Sequence, residues 1–186
     1  MRYTNRFLRA LGDWQNGWQE KKDKRLPITK ELLTSISEMS PDKLPLTDPI
    51  PHCYRKRYLV PNNPQNGGDF QKLILEGSIE EGISSWTTRQ ELAQEFKCLF
   101  RNGCVTAIFE HSPRHNEVVV DLSALWSDLD FAQALASYTN NGGDYAVALN
   151  NVKYKQFEII IDARLLASEA IDFVGFVGEE NIFSTQ

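Results

Sequence analysis

Between Pro41 and Pro51 the chain carries four prolines, in the run SPDKLPLTDPIP. Each lacks a backbone N–H and turns the residue before it away from helical geometry, so the run reads as an extended connector. It divides the chain into two stretches of different pattern. Upstream, Phe7, Leu8, Leu11, Trp14 and Trp18 recur at helical spacing over residues 3–20, with Arg, Asp, Gln and Glu between them. This predicts an amphipathic helix, ended by the charged run EKKDKR and Pro27. A second helix is expected from Thr29, a suitable N-cap, through Leu32, Leu33, Ile36 and Met39. The cluster Lys21, Lys22, Lys24 and Arg25 reads as a solvated charge run. Residues 1–50 are therefore expected to form an N-terminal helical extension packed on a body of residues 51–186.

The body has a different texture. HCYRKRYLV alternates and is rich in aromatics, a strand signal, and PNNPQNGGD is a loop. FQKLILEGSIEEGISSW mixes short apolar runs with glycines. A Ser-rich turn then leads into TTRQELAQEFKCLFRNG, which reads as a helix with Leu92, Ala93, Phe96 and Phe100 on one face and Thr87 or Thr88 as its cap. CVTAIFEH and EVVVDLSAL are strands or strand edges. DLDFAQALASY is a short helix and TNNGGDYAVALNNVKY a loop-like segment. QFEIIIDARLL and AIDFVGFVG are late strands. Strands with few helices between them predict an α+β chain with mainly antiparallel sheets, not a doubly wound parallel fold.

Composition narrows the class. At 186 residues with 41% hydrophobic and 24% charged content, one domain with a sizeable core is the simplest expectation. The net charge of −5 argues against a protein that coats nucleic acid by charge alone. Three cysteines without paired spacing suggest a reducing compartment and no disulfide framework. The N-terminus has no long apolar stretch, which predicts no signal peptide, no membrane span and a cytoplasmic location.

Familiar nucleotide and zinc motifs are missing: G-x-G-x-x-G, G-x-x-x-x-G-K-[ST] and H-E-x-x-H do not occur, and no metal is expected. His111 and His115 flank a Pro-Arg turn and read as surface residues. A Cys-His nucleophile has no local signature. Three other elements carry chemistry. Arg55 stands in a strand of Tyr, Cys and Leu, where a guanidinium needs a carboxylate or phosphate partner, and Arg57 competes for the role on the same face. Ser85-Trp86-Thr87 precedes a helix in which Ala93 and Phe96 are expected to dock inward. Gln156 and Glu158 are two apart on a strand, so they share one face while Phe157 looks into the core.

In that order the three elements resemble the signature of the mono-ADP-ribosyltransferases of bacterial-toxin type: arginine, then S-T-S, then [QE]-x-E. Tyr54-Arg55 matches the aromatic-arginine strand, and Gln156-Phe157-Glu158 supplies the third motif, followed by the apolar run III. Trp86 stands at the central Thr, Thr87 at the second Ser, and Lys56 where a Gly often follows the arginine. The resemblance covers residues 50–178. It implies an ADP-ribosyltransferase-like fold in which two mainly antiparallel sheets flank a cleft for NAD, and makes residues 51–186 the catalytic domain.

The resemblance also assigns roles. Glu158 would hold the ribose and its developing positive charge, Arg55 a phosphate of NAD, and Ser85 would position Glu158. Trp86 and Thr87 would complete the NAD site. Gln156 would face the acceptor, and Gln at this place goes with acceptors other than arginine. Tyr145 and Tyr154, in the preceding segment, would contact that acceptor or pack beside the sheet. The implied function is a toxin or defence effector that transfers ADP-ribose to a nucleobase of DNA or RNA or to a protein side chain, with a neutralising antitoxin or immunity protein as a possible partner. An NAD glycohydrolase of the same fold and a non-enzymatic binding module are the alternatives.

Overall fold

The computed structural model describes residues 2–16, 22–39, 44–47, 49–61, 68–96, 103–152 and 157–174. The chain is α+β. Helices α1 (Asn5–Asn16) and α2 (Lys22–Ser37) precede strand β1 (Cys53–Leu59). Helix α3 (Asp69–Glu76), strand β2 (Ser78–Thr87), helix α4 (Gln90–Glu95) and strand β3 (Val105–His111) follow. Then come β4 (Val118–Asp121), α5 (Leu122–Ser127), α6 (Leu129–Asn140), α7 (Ala146–Val152), β5 (Glu158–Leu166) and β6 (Ala170–Val174). The strands hydrogen-bond in the order β4-β5-β2-β1-β3-β6. The pairings of β1 with β2 and β3, and of β3 with β6, are antiparallel. Two sheets were expected; the described strands form one. The ten residues of β2 and nine of β5 are long for strands, and each has a neighbour on both sides, which keeps the sheet continuous.

The chain folds as two compact units. The first joins Met1–Pro49 to Val119–Ile160, so the N-terminal helices share a unit with α5, α6 and α7. Thr4 caps α1, its hydroxyl accepting from the Phe7 N–H at 3.1 Å. Of the apolar stripe expected for α1, Phe7, Leu8, Leu11 and Trp14 are at most 2% exposed, and Trp18 lies outside the described residues. Tyr3 stacks on Phe7 and meets Phe131 of α6 edge-on at 5.3 Å. The Tyr3 hydroxyl and Arg2 both donate to Asp128, whose other oxygen caps α6 through the Asp130 and Phe131 N–H groups. Asp121 caps α5 in the same way and also accepts from the Thr47 N–H at 2.9 Å, which ties the proline-rich connector down.

Helix α2 starts earlier than its sequence suggests, at Lys22, with Pro27 inside it. Pro27 lacks the N–H for one helical bond and its ring crowds the carbonyl four residues back, yet the helix runs through it. The earlier start puts Arg25 on the same stripe as Leu32 and Ser35, and all three are buried. Arg25 is therefore not part of a solvated charge run. The segment read as a loop before Gln156 holds α7, seven residues that begin directly after the Asn-Gly turn.

The second unit joins Ile50–Val118 to Ile161–Gln186. Its centre is the β1–β3 ladder, in register from Cys53↔His111 to Leu59↔Val105. Helix α4 is shorter than expected. Its backbone turns extended at Phe96 (φ −64°, ψ 119°), so Phe96 leaves the face that Ala93 buries and is 46% exposed. Phe100 lies outside the described residues. Ser84 and Ser85 belong to β2 rather than to a turn. The cap position of α4 is Arg89, whose N–H donates to the Thr87 hydroxyl at 3.2 Å.

Candidate functional site

Glu158 opens β5 and is 4% exposed. Phe157 was expected to look into the core. Instead Phe157 is half-buried and Glu158 is buried together with Ile159, Ile160 and Ile161. A carboxylate in such surroundings needs hydrogen-bond donors. Two come from the last turn of α1, in the same unit. The Trp14 indole N–H donates to Oε1 at 3.3 Å, and the Gln15 amide donates to Oε2 at 2.7 Å. Each oxygen thus has its own donor, from consecutive residues, and the carboxylate plane is fixed by both.

Tyr145 lies along the same helix. An added Cβ on Gly12 would meet the Tyr145 Cβ at 2.8 Å and its carbonyl at 3.0 Å, so glycine at this place is what lets the two backbones approach. Gly12 and Gln15 are three apart and neighbours on one helix face. Tyr145 has a φ of +61°, costly for an aromatic residue, and its side chain is 38% exposed. It does not fill a gap in the core. Gly143 is pressed against the Tyr138 ring, which leaves no room for a Cβ, and the Tyr138 hydroxyl donates to the Asp144 carbonyl, so the turn before Tyr145 is held on both sides. Gln156 and Tyr154 lie outside the described residues.

The second unit carries Arg55, Arg57, Ser85, Trp86 and Thr87. Arg55 is 5% exposed and donates to Glu81 Oε1 and to the Ser85 carbonyl, each at 2.5 Å. Arg57 donates to the other Glu81 oxygen at 3.1 Å and lies 3.6 Å from Asp69 at the start of α3. One buried carboxylate thus bridges two guanidinium groups. Sequence reading missed Glu81. The available signal was Gly82, a glycine inside a strand pattern. Ile79 and Glu81 are buried at odd positions, then Ser84 and Trp86 at even ones, and Gly82 between them has φ +66°. This local irregularity resets the alternation and puts Glu81 on the same face as Trp86.

The same alternation divides the second motif. Tyr54 is paired with Thr87, so Tyr54, Ser85 and Thr87 share one half-buried face of the strands. Arg55 and Trp86 are on the other, buried one. Trp86 is 2% exposed; its indole N–H donates to the Ser84 hydroxyl at 3.1 Å and its ring lies 5.6 Å from that of His111. His111 is not a surface residue. Its two ring nitrogens lie 2.8 Å from Glu169 and 3.2 Å from Glu117, and its side chain is 12% exposed. His115 is exposed, as expected. Burial pushes the Cys53 thiol well up, the opposite of what a nucleophilic thiolate requires.

Comparison of the chain with family models, with curated proteins and with solved structures gave no match. What fold and site define is an α+β chain with three buried strand carboxylates among the described residues, Glu81, Asp121 and Glu158. No helix among the described residues is long and apolar enough to cross a membrane.

Proposed function

We propose that this chain is a mono-ADP-ribosyltransferase that cleaves NAD at the nicotinamide–ribose bond and passes ADP-ribose to an acceptor other than arginine. The observation that carries the reading is the setting of Glu158: a buried carboxylate at the head of a strand, its two oxygens oriented by two N–H donors that carry no charge. When the nicotinamide–ribose bond breaks, the electron pair leaves with nicotinamide and positive charge grows on the ribose carbon, as in glycoside cleavage. A fixed carboxylate stabilises that charge without having to reorganise. The acceptor then bonds to the same carbon and releases a proton; with water as acceptor the outcome is hydrolysis.

The other residues fit supporting parts. Arg55 and Arg57 bring two positive charges to one strand face, and Arg57, with 17% of its side chain exposed against 5% for Arg55, is the more open to a phosphate. Glu81 braces both. Ser85 and Thr87 put hydroxyl groups on the opposite face of β2, and Trp86 holds that strand from its buried side. The exposed Tyr145 in a strained turn suits contact with the acceptor, and Gln156 remains the residue that selects a non-arginine group. A neutralising partner and a role as toxin or defence effector belong to the same reading.

The test is to incubate the full chain with NAD labelled in the adenylate, together with separate pools of DNA, RNA and cell protein. Label entering one pool, with nicotinamide released in step, is the expected result. Nicotinamide release with no label transferred would assign water as acceptor. No release of nicotinamide under any condition would end the enzymatic reading. Gln156→Glu is expected to keep NAD cleavage while transfer falls.

A further inference from the structure

Helix α1 ends on Glu158, and this contact reaches across 143 residues of sequence. We infer that Trp14 and Gln15 are positioning residues for the reaction, acting through Glu158; the inference rests on the function proposed above. Two features carry it. The donors are consecutive, Trp14 to Oε1 and Gln15 to Oε2, so the carboxylate cannot rotate about its last bond without losing both. The end of α1 is itself held in place, because Trp14 is 2% exposed and Gly12, one turn back, admits the backbone of Tyr145 at contact distance.

This gives the N-terminal helix a part in the chemistry. A carboxylate that must face a growing cation in one orientation loses rate when it can turn, even where substrate still binds. The loss therefore falls on kcat rather than on KM for NAD. Trp14→Phe keeps the ring and removes the N–H. Gln15→Met keeps length and volume and removes the amide, and Gln15 is only half-buried, so this variant tests the idea even where Trp14→Phe folds poorly.

The experiment measures nicotinamide release by the full chain, its two single variants, and the same variants made on Glu158→Gln, with a thermal melt of each. Each single substitution is expected to lower kcat by about 10-fold with KM for NAD changed by less than about 2-fold, consistent with loss of one hydrogen bond to a charged group. On the Glu158→Gln background neither is expected to lower the residual rate further. A kcat equal to that of the unaltered chain in Gln15→Met, or the same fractional loss with and without Glu158, overturns the positioning role and leaves the proposed function standing. An unaltered chain that releases no nicotinamide overturns both together.

Discussion

Glu158 and Glu81 are both strand glutamates, 4% and 3% exposed, yet the two carboxylates are held by different chemistry. Glu81 bridges the guanidinium groups of Arg55 and Arg57, an arrangement in which opposite charges neutralise one another inside the second unit. Glu158 receives an indole N–H and an amide from α1, donors that fix its direction. The first arrangement suits bracing: remove one member and buried charge is left behind. The second orients a carboxylate through both of its oxygens, which the proposed function requires. The difference teaches that burial alone does not mark a functional carboxylate.

That contrast can be broken most forcefully at Glu81. Glu81→Ala leaves two guanidinium groups on one buried face and should cost about 3–5 kcal/mol, a fall in Tm of roughly 10 °C. A melt within 2 °C or so of the unaltered chain would remove Glu81 from its bracing role. In the unit that holds Glu158, Asp128 joins a helix cap to Tyr3 and Arg2. Asp128→Ala deletes the α6 cap together with the acceptor for Tyr3 and Arg2, and should cost about 1–2 kcal/mol in chemical denaturation. An unchanged midpoint would show that this cap does not hold the unit together. Gly82→Ala sharpens the comparison further. A Cβ there meets no atom within 4 Å, so the roughly 1 kcal/mol expected is purely the φ of +66° that lets Glu81 face the arginines. Any greater loss would point to a change in the strand alternation itself.

The smallest effect concerns acid. Burial pushes the Glu117 carboxyl up, but the Arg114 guanidinium and N–H, with His111, outweigh it and hold the carboxyl below its ordinary value. A depressed carboxyl contributes stability above its unfolded pKa and loses it as pH falls through the folded value. The contribution, less than about 1 kcal/mol for a pair whose arginine is exposed, should vanish on the acid side of the ordinary carboxylate range. Melts of the unaltered chain and Glu117→Gln should differ near neutrality and converge in acid; a gap that widens as pH falls would contradict this.

Much of the fold was legible where local pattern decides structure. The stripe of Phe7, Leu8, Leu11 and Trp14 gave α1, and the alternation around Arg55 gave β1. Helix α7 escaped because seven residues behind an Asn-Gly cluster show too little periodicity to stand out from the turn. Phe96 escaped because where a short helix stops is set by tertiary context, not by its spacing from Ala93. Pro27 misplaced the start of α2, and with it the burial of Arg25. At the site, Arg55 and Glu158 could be singled out as costly residues in apolar strands. Their partners could not: Glu81 is 26 residues from Arg55, and Trp14 is 144 from Glu158. Sheet register, a glycine's φ and the docking of α1 bring those pairs together, and none of them is written in a local motif.

The most direct measurement of the central claim is nicotinamide release from NAD by the unaltered chain and by Glu158→Gln, both shown to be folded by circular dichroism. Steady release by the unaltered chain that falls at least about 100-fold in the variant is the result expected of a carboxylate that stabilises the transition state. Equal rates, or no release by either protein, would contradict it.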